Sequence, residues 1–219
     1  MGKPLKLLIF FYFFLTAVCP ARAEPPLAGQ VIMIDPGHGG IDPGAIIDNI
    51  YEKDINLAVA LQLAELLQQD GAEVVLTRSD DRDYYPSNRC SLQDKRQDLT
   101  TRVEMAIAAG ATLFISLHVN KDRHPGCWGS ETYYYPGSAE GQRLAEAIQA
   151  QLKKVQPENR RPAKPGDYFL LRATPMPAVI VEMGFISNSR ERALLLSPDW
   201  QKNLAMAIRQ GIIDFFWQH

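Results

Sequence analysis

Short apolar runs alternate with longer segments of helical spacing along this chain, and that alternation limits the fold more than any other feature. Val31 to Ile34, Glu73 to Leu76, Thr112 to Leu117, Glu131 to Tyr135 and Ala178 to Val181 are bounded by turn residues and read as strands. Residues 52–69 carry Leu57, Leu61, Ala64 and Leu67 at helical spacing and stop at Asp70-Gly71, residues 95–109 stop at Gly110, and residues 141–155 give a third helix. The last helix starts at Ser197-Pro198, a capping residue before a proline at the first helical position. It turns Trp200, Leu204, Ala207, Ile208, Ile212 and Phe215 inward. Strands that alternate with helices build a largely parallel or mixed sheet covered on both faces, with ligands beyond the carboxyl ends of the strands. The expectation is a single α/β domain.

The first 23 residues stand apart. Lys3 and Lys6 precede an apolar run from Leu7 to Val18, and Ala21-Arg22-Ala23 has the small-x-small shape of a signal-peptidase site. Residues 1–23 are therefore expected to be a signal peptide and residues 24–219 the mature domain. An apolar run of about a dozen residues is short for a permanent membrane span, and Val18 and Pro20 around Cys19 disfavour lipid attachment there. Removing Lys3, Lys6 and Arg22 from the 23 basic residues leaves 20 against 25 acidic ones, a balance that gives no reason to expect nucleic acid as a partner. Cys90 and Cys127 remain and could pair in an oxidising space, but two cysteines do not make a disulfide framework.

Two islands hold histidines where apolar runs meet loops: Ile34-Asp35-Pro36-Gly37-His38-Gly39-Gly40 and Ile115-Ser116-Leu117-His118-Val119-Asn120. Taken alone, His38 in a glycine-rich turn reads as an exposed residue, and His118 at a strand end reads as a hydrogen-bonded core residue. Glu52 at a helix start is favoured by the macrodipole in any case. Together they supply two imidazoles and one carboxylate on one rim of one sheet, the set that holds a catalytic zinc with a fourth position open. Glu182 ends the run from Ala178 to Val181 and carries a further carboxylate to the same rim, where a buried acid needs a partner or a purpose. Its bland alternatives are capping a helix near Asn188 or pairing with Arg172. Two polar stretches, residues 78–94 and 156–167, read as long loops that either line the site or are plain solvated connections.

These residues bring a family into view. The chain resembles the zinc-dependent N-acetylmuramoyl-L-alanine amidases of bacterial cell walls from Val31 to Phe216. The matching motifs are Ile34 to Gly40 with Asp42-Pro43-Gly44-Ala45, Glu52-Lys53-Asp54-Ile55-Asn56-Leu57, Thr77-Arg78, Leu99 with Arg102, Ser116 to Asn120, and Val181 to Asn188. The resemblance implies that His38, Glu52 and His118 bind Zn2+ and that Glu182 is the catalytic acid/base. It also implies a twisted, mostly parallel six-stranded sheet between helices, and peptidoglycan as substrate. Some relatives carry an inserted helix that plugs the site, whereas the connection from Val155 to Tyr168 is short and proline-rich here. Compact length, lack of a wall-binding repeat and the segment Lys95 to Leu99 look most like the sporulation-type amidases that prepare spore cortex. Export to the cell envelope is expected, as periplasm, cell wall or forespore intermembrane space, and an activating protein partner is left open. Asp35, Ser116 and Asn120 are candidates for the hydrogen bonds that fix the imidazole tautomers, or are ordinary turn residues. The alternatives are a zinc peptidase cutting within the stem peptide, and a peptidoglycan-binding factor whose structural zinc takes a fourth ligand such as Cys127.

Overall fold

The computed structural model describes Gly2 and residues 24–85, 87 and 91–217. The expected signal peptide, Gly2 apart, lies outside the described residues, as does Cys90 and with it any pairing to Cys127. Along the chain run β1 (Val31–Pro36), β2 (Ile46–Ile47), β3 (Ile50–Tyr51), α1 (Glu52–Gln69), β4 (Glu73–Leu76), α2 (Leu92–Ala108), β5 (Leu113–Asn120) and β6 (Glu131–Tyr134). The order continues with α3 (Ala139–Val155), β7 (Lys164–Pro165), α4 (Phe169–Ala173), β8 (Ala178–Phe185), α5 (Ser189–Leu195) and α6 (Pro198–Trp217).

The main sheet has six strands in the order β4-β1-β5-β8-β6-β7, and β2 and β3 form a separate two-stranded ribbon. Every neighbouring pair in the main sheet is parallel except β6 with β8. This is the mixed α/β sheet that the alternation of runs predicts. The side-chain period of two sorts the strands between two cores. Ile32, Ile34, Ile115, Leu117, Val179 and Val181 point to α1, α3 and α6, while Met33, Phe114 and Ile180 point to α2 and α4. Strands apolar on both faces must be covered on both, which is why their runs are continuous rather than alternating.

Two strands run past their apolar runs. β5 continues to Asn120 and β8 to Phe185, with His118 opposite Glu182 and a register shift between His118 and Asn120. Both side chains therefore project from paired strands, on the α2 and α4 face. Among the described residues, no helix is long and apolar enough to cross a membrane. The stretch between Val155 and Tyr168 holds only the two-residue β7 and no helix, as its prolines predict.

Candidate functional site

His38 reaches the rim because its turn departs from ordinary backbone. Its φ is 62°, followed by 132° at Gly39 and 53° at Gly40. A non-glycine residue in this left-handed region costs about 1 kcal/mol and persists only where surroundings hold it. They do so through carbonyls: Arg78 donates to Pro36 O and Gly37 O, Asn56 donates to Gly37 O at 3.2 Å, and Arg102 donates to His38 O at 2.8 Å. Gly37 matters for a different reason. A Cβ there would lie 2.3 Å from Cε1 of His118, so the glycine is what lets the second imidazole lie against the first turn.

Glu52 sits between the rings. Its Oε1 is 3.2 Å from His38 Nε2 and 3.0 Å from His118 Nδ1, and it accepts from Val119 N at 3.1 Å, while Oε2 accepts from Ala45 N at 2.8 Å. The two imidazoles meet edge to face at 4.9 Å between centroids. One ligand atom from each of His38, Glu52 and His118 falls within 4.8 Å of the others, so the three could share a metal ion. Cys127 is not part of this group. Two imidazoles and one carboxylate with space beside them fit a catalytic zinc, which takes three protein ligands and keeps one position for water.

The electrostatics point the same way. Burial would lower the His38 pKa, but hydrogen bonds to Asp42 and Glu52 and their charges lift it to about 9. Burial would raise Asp42 and Glu52, yet their contacts with the histidines hold both well below the carboxylate range. Two ionised acids around one imidazole favour positive charge at that spot, which a protonated His38 supplies by itself and a divalent cation would supply with the imidazole neutral.

Asp42 was not singled out from sequence. Its Oδ2 is 2.9 Å from His38 Nδ1, leaving Nε2 to face Glu52. The same carboxylate accepts from Tyr85 OH at 3.3 Å and from Gly44 N at 3.1 Å. Asp35, Ser116 and Asn120, for which the sequence left tautomer control and ordinary turn chemistry open, bond to other groups than the imidazoles. Asp35 accepts from Thr77 Oγ1 and Ser116 Oγ, both at 2.6 Å, and from Arg102 NH1 at 2.8 Å, while Asn120 Oδ1 accepts from Lys121 N. Strand pleating aims Asp35 and Ser116 at α2, so they brace the floor of the site. The residue 78–94 stretch does border it: Asp81 accepts from Gly40 N and Lys53 Nζ, and Asp83 accepts from Ile41 N.

Glu182 neither caps a helix nor pairs with Arg172. Asn188 caps α5 itself by accepting from Arg190 N and Glu191 N, and Arg172 pairs with Asp167. Oε2 of Glu182 is buried with no hydrogen-bond partner among the described residues. Burial, with the negative charges of Glu52 and Glu131, outweighs the pull of the histidines and raises its pKa to about 7. It lines a cavity of about 210 Å³ together with His38, His118, Lys95, Leu99 and Tyr168. A carboxyl group poised near neutrality, with one oxygen buried and unpartnered beside a metal-type donor set, suits proton transfer in both directions.

Comparison with known proteins agrees with this geometry. Residues 32–214 match the N-acetylmuramoyl-L-alanine amidase family. The chain is 36% identical over 219 residues to the germination-specific N-acetylmuramoyl-L-alanine amidase of Bacillus subtilis, covering 99% of this chain and 92% of that protein. Among solved structures it is similar to the CwlD amidase from Clostridioides difficile in complex with the GerS lipoprotein. That likeness has a TM-score of 0.83 and 37% identity, covering 87% of this chain and all of that one. The catalytic domain of CwlV, an N-acetylmuramoyl-L-alanine amidase from Bacillus (Paenibacillus) polymyxa, superposes with a TM-score of 0.73 at 34% identity over 85% of this chain and 97% of that chain.

Proposed function

The chain belongs to the N-acetylmuramoyl-L-alanine amidase family, and from this we propose that it is a zinc-dependent enzyme with His38, Glu52 and His118 as metal ligands and Glu182 as acid/base. Its activity on peptidoglycan is hydrolysis of the amide between the lactyl group of N-acetylmuramic acid and L-alanine. The observation that carries the finer reading is the juxtaposition at the rim of β5 and β8: His118, gathered on β5 with His38 from the turn after β1 and Glu52 from the start of α1, stands opposite Glu182 on β8, whose buried carboxyl oxygen has no partner among the described residues.

When bound, zinc supplies Lewis-acid polarisation of the amide carbonyl and acidifies water beside it. The chain's own residues do the rest. Glu182 takes a proton from the attacking water as its hydroxyl joins the lactyl carbonyl carbon, then gives that proton to the alanine nitrogen as the C–N bond breaks. Asp42 fixes His38 so that Nε2 faces the site, and the Ala45 and Val119 amides fix the Glu52 carboxylate. Products are a peptide-free sugar strand and a stem peptide with a free alanine amine.

The likeness to a germination-specific amidase supports spore-cortex peptidoglycan as the substrate, and the CwlD likeness, solved with a lipoprotein, supports an activating protein partner. Residues 1–23 act as the export signal and residues 24–219 as the catalytic amidase domain, which places the enzyme in the cell envelope. The test is Glu182→Gln, a change of one atom. It is expected to keep zinc bound at one equivalent while losing at least a hundredfold of turnover on purified muropeptides. Undiminished release of alanine amino termini by that variant would remove Glu182 from the reaction.

A further inference from the structure

Directly across from Glu182 on the antiparallel neighbour β6 stands Glu131, and side chains opposed in this way share one face of the sheet with Cβ atoms about 5 Å apart. The face is the one under α2 and α4: Tyr133, two residues on, packs there, whereas Thr132 turns to Gln149 of α3. Glu131 is 2% exposed. Its carboxylate accepts from Arg161 NH1, from Lys164 Nζ at 2.6 Å and from the Tyr133 hydroxyl at 2.8 Å. One buried acid thus gathers two cations; Arg161 also lies near the charges of Asp122 and Glu191, while Lys164 is ion-paired with Glu131. The Lys164 side chain is 40% exposed and open to a ligand.

The position of this charge matches the reach of a peptide. Lys164 on β7 pairs with Tyr133, so its backbone lies two strands from β8, about 10 Å at the usual strand spacing. Its side chain leans back to Glu131, nearer Glu182. A peptide leaving the scissile nitrogen advances roughly 3.5 Å per residue, so a carboxylate on the residue after alanine falls about 7 Å away. The intervening wall is aromatic: Tyr133 and Tyr168 meet edge to face at 5.3 Å, and Tyr168 lines the same cavity as Glu182.

We propose that Lys164, steered by Glu131 and backed by Arg161, is the subsite for a free carboxylate on the residue that follows alanine in the stem peptide, so that the enzyme discriminates acid from amidated stems. The inference rests on the amidase reading and adds a substrate preference to it.

The test uses the purified full chain, zinc-loaded, and two muropeptides identical except that this residue carries a carboxylate in one and its amide in the other. The acid is expected to have a higher kcat/KM by roughly fivefold, carried mainly by KM, as befits a partly exposed ion pair. Lys164→Met is expected to bring the two substrates to within about twofold of each other, and Lys164→Arg to restore the preference. Equal kcat/KM for the two substrates on the unmodified enzyme overturns this inference alone. So does a preference that survives intact in Lys164→Met. Cleavage within the stem peptide, in place of the amide to alanine, overturns the amidase reading and this inference with it.

Discussion

Replacing Asp35 by asparagine removes one charge and almost no volume from the floor of the site. Asp35 is fully buried, and the Arg102 it binds at 2.8 Å is 1% exposed. Removing one partner of a buried pair costs about 3–5 kcal/mol, because the other charge remains uncompensated. Here Arg102 keeps Asp98 at 2.8 Å, and an asparagine oxygen still accepts from Thr77, so the lower end of that range applies. We expect a loss of about 3 kcal/mol, or a fall in melting temperature of about 9 °C for a domain of this size. The assay is urea denaturation followed by far-UV circular dichroism, with divalent cations removed by chelation so that metal binding adds nothing to stability.

The pH dependence sharpens the test. Burial would raise the Asp35 pKa, but the Arg102 charge and the hydrogen bonds from Ser116, Thr77 and Arg102 hold it below its ordinary value of 3.8. A carboxyl whose folded pKa is depressed contributes stability above the unfolded pKa, and that contribution is lost as pH falls through the folded pKa. The gap between the unmodified protein and Asp35→Asn should therefore stay constant from pH 8 to about 5 and close only in stronger acid. A gap below about 1 kcal/mol at pH 7, or one that already closes between pH 7 and 5, would refute the reasoning.

Other expectations concern the donor group. Asp42→Ala removes the acceptor on His38 Nδ1 and should weaken zinc affinity by about 10–100-fold, measured by competition with a chromophoric chelator. Gly44 has φ 68°, and a Cβ there would meet Glu52 Oε2 at 2.6 Å and His38 Cδ2 at 2.7 Å. Gly44→Ala should therefore displace both side chains and lower zinc affinity by at least about tenfold in the same assay. Unchanged affinity in either variant would mean that the turn does not position the donors.

Much of this molecule is written in its hydrophobic pattern. The five longer strands and the helices α1, α3 and α6 follow from runs and spacing, because each buries a face large enough to leave a periodic trace. The two-residue strands β2, β3 and β7 and the five-residue α4 leave none. The ribbon is placed by Ile47 and Ile50 packing on the core beside α1, β7 by pairing with β6, and α4 by Leu170 and Leu171 packing with α2 and β8. Helix α2 starts at Leu92, three residues before the expected start at Lys95, because Ser91 accepts from Asp94 N; Ser91-Leu92-Gln93-Asp94 carries that capping signal in plain view.

The site divides similarly. His38, His118 and Glu182 stand out because reactive residue types follow apolar runs on one rim, and Glu52 because it opens the helix between the two histidines. Asp42 was missed although it lies four residues after His38 in the same turn, a spacing that becomes a contact only because His38 adopts a positive φ. Glu131 carries no role in the sequence because the segment from Glu131 to Tyr135 reads only as a run between turn residues. An acid on the inward face of a strand was the available signal, since such residues are almost never buried without partners. Arg161 and Lys164 come from a loop whose composition says nothing about which carboxylate they meet.

The trio proposed to hold zinc and the acid proposed to carry the proton belong to different stretches of chain. Residues 38, 52 and 118 lie on or before β5, whereas Glu182 arrives only with β8, and the seam between the two strands is what unites them. Ion capture and turnover are then separable faults. On the proposed roles, a change confined to the Glu182 side chain would leave a protein that still sequesters a cation yet performs no hydrolysis, so metal content alone is a poor gauge of whether an amidase of this architecture is alive.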